Sequence, residues 1–95
     1  MKNIILFESD HTLILDFCRL ESEEDFEKII EILIKRYRVK SMGRSESPWS
    51  KMWEFIYSNA TLFLINDNYG NRISGKTEEE KKILKEIFDS WEIPG

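Results

Sequence analysis

The stretch WSKMWEFIY, residues 49–57, decides the fold of this chain. Side chains of a β-strand point alternately to its two faces, so residues 49, 51, 53, 55 and 57 share one face. In this stretch those residues are Trp49, Lys51, Trp53, Phe55 and Tyr57. The pattern predicts a strand, Trp49–Tyr57, whose aromatic side contributes much of the hydrophobic core.

Short apolar runs bounded by polar or glycine-containing turns predict further strands on both sides of this stretch. The other predicted strands are Asn3–Glu8, Thr12–Phe17, Arg38–Met42, Thr61–Asn66 and Arg72–Ser74. The first two form a hairpin across three polar residues, and the later ones form an antiparallel meander. Residues 43–48 contain a glycine and a proline and are predicted to be a loop.

Two helices complete the pattern, and each begins with a capping residue. Ser22 is followed three residues later by Asp25, and Thr77 is followed three residues later by Glu80. Helical apolar stripes follow these caps, and Pro94 ends the second one. The stripes are Phe26, Ile29, Ile30, Leu33 and Tyr37 in the first helix, and Ile83, Leu84, Ile87, Phe88 and Trp91 in the second.

The element order ββαββββα predicts an α+β fold with a mainly antiparallel sheet. We expect both amphipathic helices to pack on this sheet in two layers, with one helix on each face as the alternative. The chain of 95 residues fits a single domain, 1–95.

Composition excludes several classes of protein. The net charge of -4 has the wrong sign for a protein whose whole surface binds nucleic acid. A single cysteine, Cys18, cannot form an internal disulfide, and this favours a reducing compartment. The first apolar run is too short for a signal peptide, and no run is long enough to span a membrane. We therefore expect a cytoplasmic protein that does not enter a membrane.

Groups that could carry out catalysis are few. His11 lies beside Asp10 in the predicted hairpin turn, where an exposed, non-catalytic histidine is expected. Cys18 is expected to be a buried, inert thiol. Acidic runs at 23–25 and 78–80 fall at helix starts, where the helix dipole accounts for them. The turn at 67–71 lacks the acidic residue that closes a calcium loop. We expect no enzyme activity, cofactor or metal.

Basic residues gather between the first helix and the middle of the chain. They are Lys35, Arg36, Arg38, Lys40, Arg44 and Lys51, of which the first five make up the candidate nucleic-acid patch. Such a group could bind RNA or an acidic partner, and it could equally be a solvated surface that complements the helix dipole.

Exposed aromatic residues provide a second candidate surface. Trp49 follows a loop proline and Tyr69 lies at a turn tip, so these two are expected to be the least buried aromatics. Tryptophan and tyrosine dominate the energetics of many protein interfaces. Acidic residues on or beside the meander would accompany them, namely Glu46, Glu54 and Asp67.

In size, charge and element order the chain resembles the small acidic immunity proteins of bacterial toxin systems, including those of contact-dependent growth inhibition. The resemblance lies in the strand at 49–55, the strand that ends at Asp67, the turn at 68–71 and the capped helix from Thr77. It implies a cytosolic protein that forms a heterodimer with a cognate toxin, often a nuclease with a basic cleft. The alternative is a nucleic-acid or ribonucleoprotein accessory domain that uses the basic residues.

Overall fold

The computed structural model describes residues 4–91. In chain order the strands are β1 (Ile5–Ser9), β2 (Thr12–Asp16), β3 (Lys40–Glu46), β4 (Lys51–Tyr57), β5 (Ala60–Asp67) and β6 (Gly70–Gly75). Helix α1 (Glu23–Tyr37) lies between β2 and β3, and helix α2 (Glu78–Ser90) follows β6. The predicted order ββαββββα is confirmed.

The described strands form one antiparallel sheet in the order β1-β2-β6-β5-β4-β3. Strands β1 and β3 are therefore its edges. Neighbours in sequence are neighbours in the sheet except at α1, which connects β2 near one edge to β3 at the other. This crossover lays α1 across the sheet.

Both helices cover the same face, so the two-layer prediction is confirmed. Residues Leu15, Trp53, Phe55 and Leu64 are buried on this face and share one core with the apolar stripes of the helices. The opposite face, which we call the open face, carries partly exposed apolar side chains. They are Ile5, Phe7, Met52 and Phe63.

Short turns account for the compact meander. Residues Asp10 and His11 form a two-residue turn with φ of 49° and 65°, and Ser58 and Asn59 form another with φ of 51° and 70°. Positive φ at both positions is the geometry of a type I′ turn, whose twist matches that of the paired strands. Gly70, with φ of 95°, closes the β5–β6 turn.

The predicted helix caps are present. The Ser22 hydroxyl accepts a hydrogen bond from the Asp25 amide at 3.1 Å, and the Asp25 carboxylate accepts one from the Ser22 amide. At α2 the Thr77 hydroxyl accepts from the Glu80 amide at 3.1 Å. Here the Glu80 carboxylate accepts from the Lys76 amide and not from the capping residue itself.

The prediction was wrong at the third strand. It runs over Lys40–Glu46, so the expected strand at Arg38–Met42 was too early and most of the expected loop at 43–48 is strand. Arg38 instead ends α1 in the left-handed conformation, with φ of 54°. A bulge between Ser41 and Gly43 lets the strand continue past the glycine, which takes a φ of 147°.

The remaining boundary differences are small. Strand β4 begins at Lys51, so Trp49 belongs to the preceding loop. The strand expected at Arg72–Ser74 is longer and spans Gly70–Gly75. The predicted first strand is observed from Ile5, while its first residue Asn3 and the terminating Pro94 lie outside the described residues.

Candidate protein-binding site

Three connections meet at one end of the sheet, which we call the loop end. They are the β2–α1 loop, the β3–β4 loop and the β5–β6 turn. Between them lies an open groove of about 360 Å³. Its lining includes Glu21, Glu23, Trp49, Lys51, Asn66 and Asp67. The fold thus brings residues from three separate parts of the chain to one surface.

Trp49 is held out into solvent by the local structure of its loop. The Ser47 hydroxyl accepts hydrogen bonds from the amides of Trp49 and Ser50 at 3.3 and 3.0 Å. The Ser47 amide donates to the Ser50 carbonyl at 2.8 Å and closes a tight turn. The Trp49 side chain remains 81% exposed. So large an apolar group is seldom left in water, because burying it would be favourable.

Tyr69 lies at the tip of the adjoining β5–β6 turn and is 80% exposed. The Asp67 carboxylate accepts a hydrogen bond from the Tyr69 amide at 2.8 Å and thereby fixes the turn. Arg72 donates to both oxygens of Asp67, at 2.9 and 2.8 Å, and its guanidinium lies 5.5 Å from the centre of the Tyr69 ring. The Tyr69 ring is therefore exposed to solvent while the Arg72 guanidinium packs against it.

The hydrogen bonds from Arg72 also set the charge of Asp67. They are the main cause that lowers the pKa of this carboxyl below its ordinary value, and the Tyr69 amide acts in the same direction. Asp67 consequently stays ionised at neutral pH.

A buried pair of asparagines attaches the β2–α1 loop to the strands. The Asn71 amide group donates to the carbonyls of Leu20 and Ser22, and the Asn66 amide group donates to the carbonyl of Glu21 and to the Asn71 side chain. These bonds place Glu21 at the rim of the groove. The sequence reasoning missed both asparagines. The signal was available, because asparagine is disfavoured within strands and both residues sit symmetrically about one turn.

The groove has an excess of acidic groups. Its lining contains Glu21, Glu23 and Asp67 against Lys51 as the basic residue. The Lys51 ammonium lies 3.4 Å from Glu23 and 3.8 Å from Glu46, so one cation is shared by two carboxylates. The loop end therefore combines an excess of acidic groups with two exposed aromatic rings, Trp49 in the groove lining and Tyr69 in the adjoining turn.

The fold brings most of the predicted interface residues together. Trp49 and Asp67 line the groove, Tyr69 lies in the turn that bounds it, and Glu46 adjoins it through Lys51. Glu54 is elsewhere: it lies on the open face, where its neighbours across the strands are Phe63 and Gly43.

The fold gathers the predicted basic residues only in part: Lys35 and Arg44 line one open pocket together with Glu27 and Glu31, while Lys40 lies on the other face of the sheet. Arg44 and Lys40 point to opposite faces of the sheet, as shown by their strand partners Trp53 and Ile56. Arg44 donates to both oxygens of Glu27, at 2.7 and 2.6 Å, and Lys35 pairs with Glu31 at 2.6 Å. The bond from Arg44 lowers the pKa of the Glu27 carboxyl.

The remaining two members of the basic group lie near the end of α1. Arg36 is in its last turn, and Arg38 is its C-cap. Cations there complement the negative end of the helix dipole.

Groups with possible catalytic roles lie apart. His11 is exposed in the β1–β2 turn, at the opposite end of the strands from the groove, and Cys18 is half-buried just beyond β2. Cys18 was expected to be buried, so it is more accessible than predicted. Within residues 4–91, no group of three or more histidine, cysteine, aspartate or glutamate side chains could hold a metal ion. None of the described helices has the length and apolar character needed to cross a membrane.

Comparison of the chain with protein-family models, with curated proteins and with solved structures finds no match.

Proposed function

We propose that this protein is a non-enzymatic inhibitor of the immunity type, which binds a cognate toxin through the loop end and blocks it. The observation that carries the proposal is the exposure of Trp49 and Tyr69, 81% and 80%, at the loop end, where Trp49 lines an acidic groove and Tyr69 lies in the turn beside it. When a partner covers such exposed aromatic side chains, their burial contributes a large share of the binding free energy.

The groove gives the proposed interface a concave shape and an excess of negative charge. Its lining offers Glu21 and Glu23 to a basic partner, such as the positively charged cleft of a nuclease, whereas Asp67 is already paired with Arg72. Opposite charges speed the encounter, whereas the aromatic rings supply affinity once water is displaced. A cytoplasmic location fits this role, since a toxin that enters the cytoplasm must be bound and blocked there.

The rigidity of the loop end also favours binding. The Ser47 turn fixes the backbone at Trp49, the Asp67–Arg72 pair fixes the turn at Tyr69, and the two buried asparagines hold the rim at Glu21. A surface that is already ordered loses less conformational entropy when it binds.

A protection assay tests the proposal. The proposal implies that a neighbouring reading frame encodes the toxin. The protein is co-expressed with the product of that frame, and cell growth is measured together with the affinity of the purified pair. The double variant Trp49→Ala/Tyr69→Ala should lose protection and weaken binding by about 30-fold or more, because each ring is expected to act as a hot spot.

The matched control is Phe63→Ala, which removes an aromatic ring of similar type from the open face. It should leave protection and affinity unchanged. The reversal Arg38→Glu/Lys40→Glu should also be tolerated, because these residues lie away from the groove. Retained binding in the double variant, or loss of binding only in the charge reversal, would contradict the proposal.

A further inference from the structure

We propose that two copies of this chain associate through their β1 strands, which pair antiparallel and join the two sheets into one. The proposal is independent of the inhibitor function. Strand β1 is the edge of the sheet that lies farthest from β3 and β4, which flank the Trp49 loop. Pairing at β1 would leave the groove of each copy open.

The two edges of the sheet differ in how they are protected. Strand β3 carries a bulge between Ser41 and Gly43 and a lysine, Lys40, while its other cationic residue, Arg44, is paired with Glu27. Bulges and lysines are the usual devices that prevent an edge strand from pairing with another chain. Strand β1 pairs with β2 in unbroken register from Ile5 to Ser9, and this strand contains neither proline nor a cationic residue.

The register of β1 determines which of its peptide groups face outward. A two-residue type I′ turn is closed by a hydrogen-bonded pair, here Ser9 and Thr12, and such pairs alternate along an antiparallel ladder. The peptide groups of Ser9, Phe7 and Ile5 are therefore directed at β2. Those of Leu6 and Glu8 are directed outward, where a further strand could bond to them.

A two-fold axis at Phe7 satisfies these outward groups. Leu6 of one copy then faces Glu8 of the other, and each of these pairs can exchange backbone hydrogen bonds. Between them the two Phe7 side chains form a non-hydrogen-bonded pair, the type in which side chains approach most closely. A second copy thus uses the bonding groups of β1 without any shift in register.

The side chains of β1 favour the same arrangement. Phe7 and Ile5 are 41% and 47% exposed on the open face. Phe7 lies beside Ile14 of β2, so the two side chains form an apolar row across the strands that stops at the edge strand β1. A second copy continues the row with its own Phe7. On the helix-covered face Glu8 lies 3.6 Å from the Lys81 ammonium of α2, so the charge of β1 is already compensated and does not repel a copy of itself.

The size of the contact sets the strength of the association. A strand of five residues offers an edge of about 17 Å. Five residues are far fewer than the roughly 20 to 30 residues per partner of a standard stable interface, even when flanking side chains are added. We therefore expect a reversible dimer whose population rises with concentration.

Sedimentation velocity of the purified chain between about 1 µM and 1 mM tests the proposal. The mass should rise from that of the monomer, 11.4 kDa, toward twice that value. Phe7→Lys should weaken association by about tenfold or more, since it places like charges directly opposite each other. Phe63→Lys is the matched control, because Phe63 is 38% exposed on the same face but lies in a central strand.

Hydrogen exchange gives a second measurement that needs no substitution. The amides of Leu6 and Glu8 should become protected as the concentration rises, while those of β3 should not. A monomer at all concentrations overturns the proposal. Equal loss of association in Phe63→Lys and Phe7→Lys also overturns it, because packing through the open face would then be the contact. Circular dichroism establishes that each variant is folded, and Ser9→Lys replaces Phe7→Lys if the latter is not.

Discussion

The Asn66 side-chain amide donates to the Asn71 side-chain oxygen at 2.9 Å, and both residues are buried. The two asparagines lie opposite each other on β5 and β6, one step inside the turn that carries Tyr69. Through this pair the turn, the β2–α1 loop and the start of α1 are held as one unit. Any function of the loop end depends on this internal polar contact.

Replacement of Asn71 should therefore be costly. Asn71→Ala removes the donor to the Leu20 carbonyl, a bond of 2.6 Å, and the acceptor for Asn66. We expect the free energy of unfolding to fall by about 2 to 3 kcal/mol, because buried polar groups lose their partners. Urea denaturation measures this change.

Asn71→Asp provides the matched control for that measurement. It preserves the shape of the side chain but places oxygens against the carbonyls of Leu20 and Ser22. At neutral pH it should be at least as destabilising as the alanine variant. If both variants changed the unfolding free energy by less than about 0.5 kcal/mol, the asparagine pair would not be the structural support described above.

The tryptophans of the β3–β4 region should differ sharply in their contribution to stability. Trp53 is fully buried, donates from its indole nitrogen to the Ser41 hydroxyl at 2.8 Å and stacks on Phe55 with ring centres 4.7 Å apart. Trp53→Ala should lower the free energy of unfolding by about 3 to 5 kcal/mol. Trp49→Ala should change it by less than about 0.5 kcal/mol. Thermal unfolding of the two variants makes the comparison, and equal effects would contradict the placement of Trp49 outside the core.

The bond between Asp67 and Arg72 predicts a pH dependence of stability. The folded protein lowers the pKa of Asp67, so it favours the ionised carboxyl relative to the unfolded chain. This stabilisation is fully present above the unfolded pKa of the residue and is lost as the pH falls below about 4. Arg72→Met should remove it.

A carboxyl NMR titration checks this prediction directly. The pKa of Asp67 should lie below the usual range in the parent protein and rise in Arg72→Met. The Glu27 carboxyl, whose pKa is lowered by Arg44, provides an internal control that Arg72→Met should not move. An unchanged Asp67 titration would show that another group sets its pKa.

The β1–β2 turn can be improved. His11 adopts a φ of 65°, a left-handed conformation that costs energy for a residue with a Cβ atom. His11→Gly should raise the free energy of unfolding by about 0.5 kcal/mol, because glycine relieves this strain and the Asp-Gly pair suits a type I′ turn. His11→Ala keeps the strain and should bring no gain. A loss of stability in the glycine variant would show that the histidine side chain makes a stabilising contact.

Much of the fold could be predicted from local patterns. The alternation of side chains between the two faces of β4 and the capped apolar stripes of α1 and α2 depend only on residues close together in the sequence. These patterns therefore predicted the correct element order. The bounds of strand β3 could not be predicted in this way. Its seven residues are all exposed, and it is held by pairing with β4 and by a bulge, neither of which leaves an apolar signature.

The candidate site was predictable only in part. Exposure of Trp49 and Tyr69 followed from their positions in a loop and at a turn tip. The groove that Trp49 lines was not predictable, because it depends on the contact of Asn71 with Leu20, residues far apart in the sequence. The separation of Lys40 from Arg44 also depends on the bulge in β3, which alters the face that each side chain occupies.

The bulge at Ser41 and Gly43 has a consequence for assembly. A sheet with two unprotected edges could add copies without limit and grow into a fibre, because each added copy would expose a further unpaired edge strand. Here the second edge is irregular and carries Lys40, so once two β1 strands have paired, only β3 is left at either end of the joined sheet. One distorted strand would thus terminate polymerisation and hold the assembly at a closed pair.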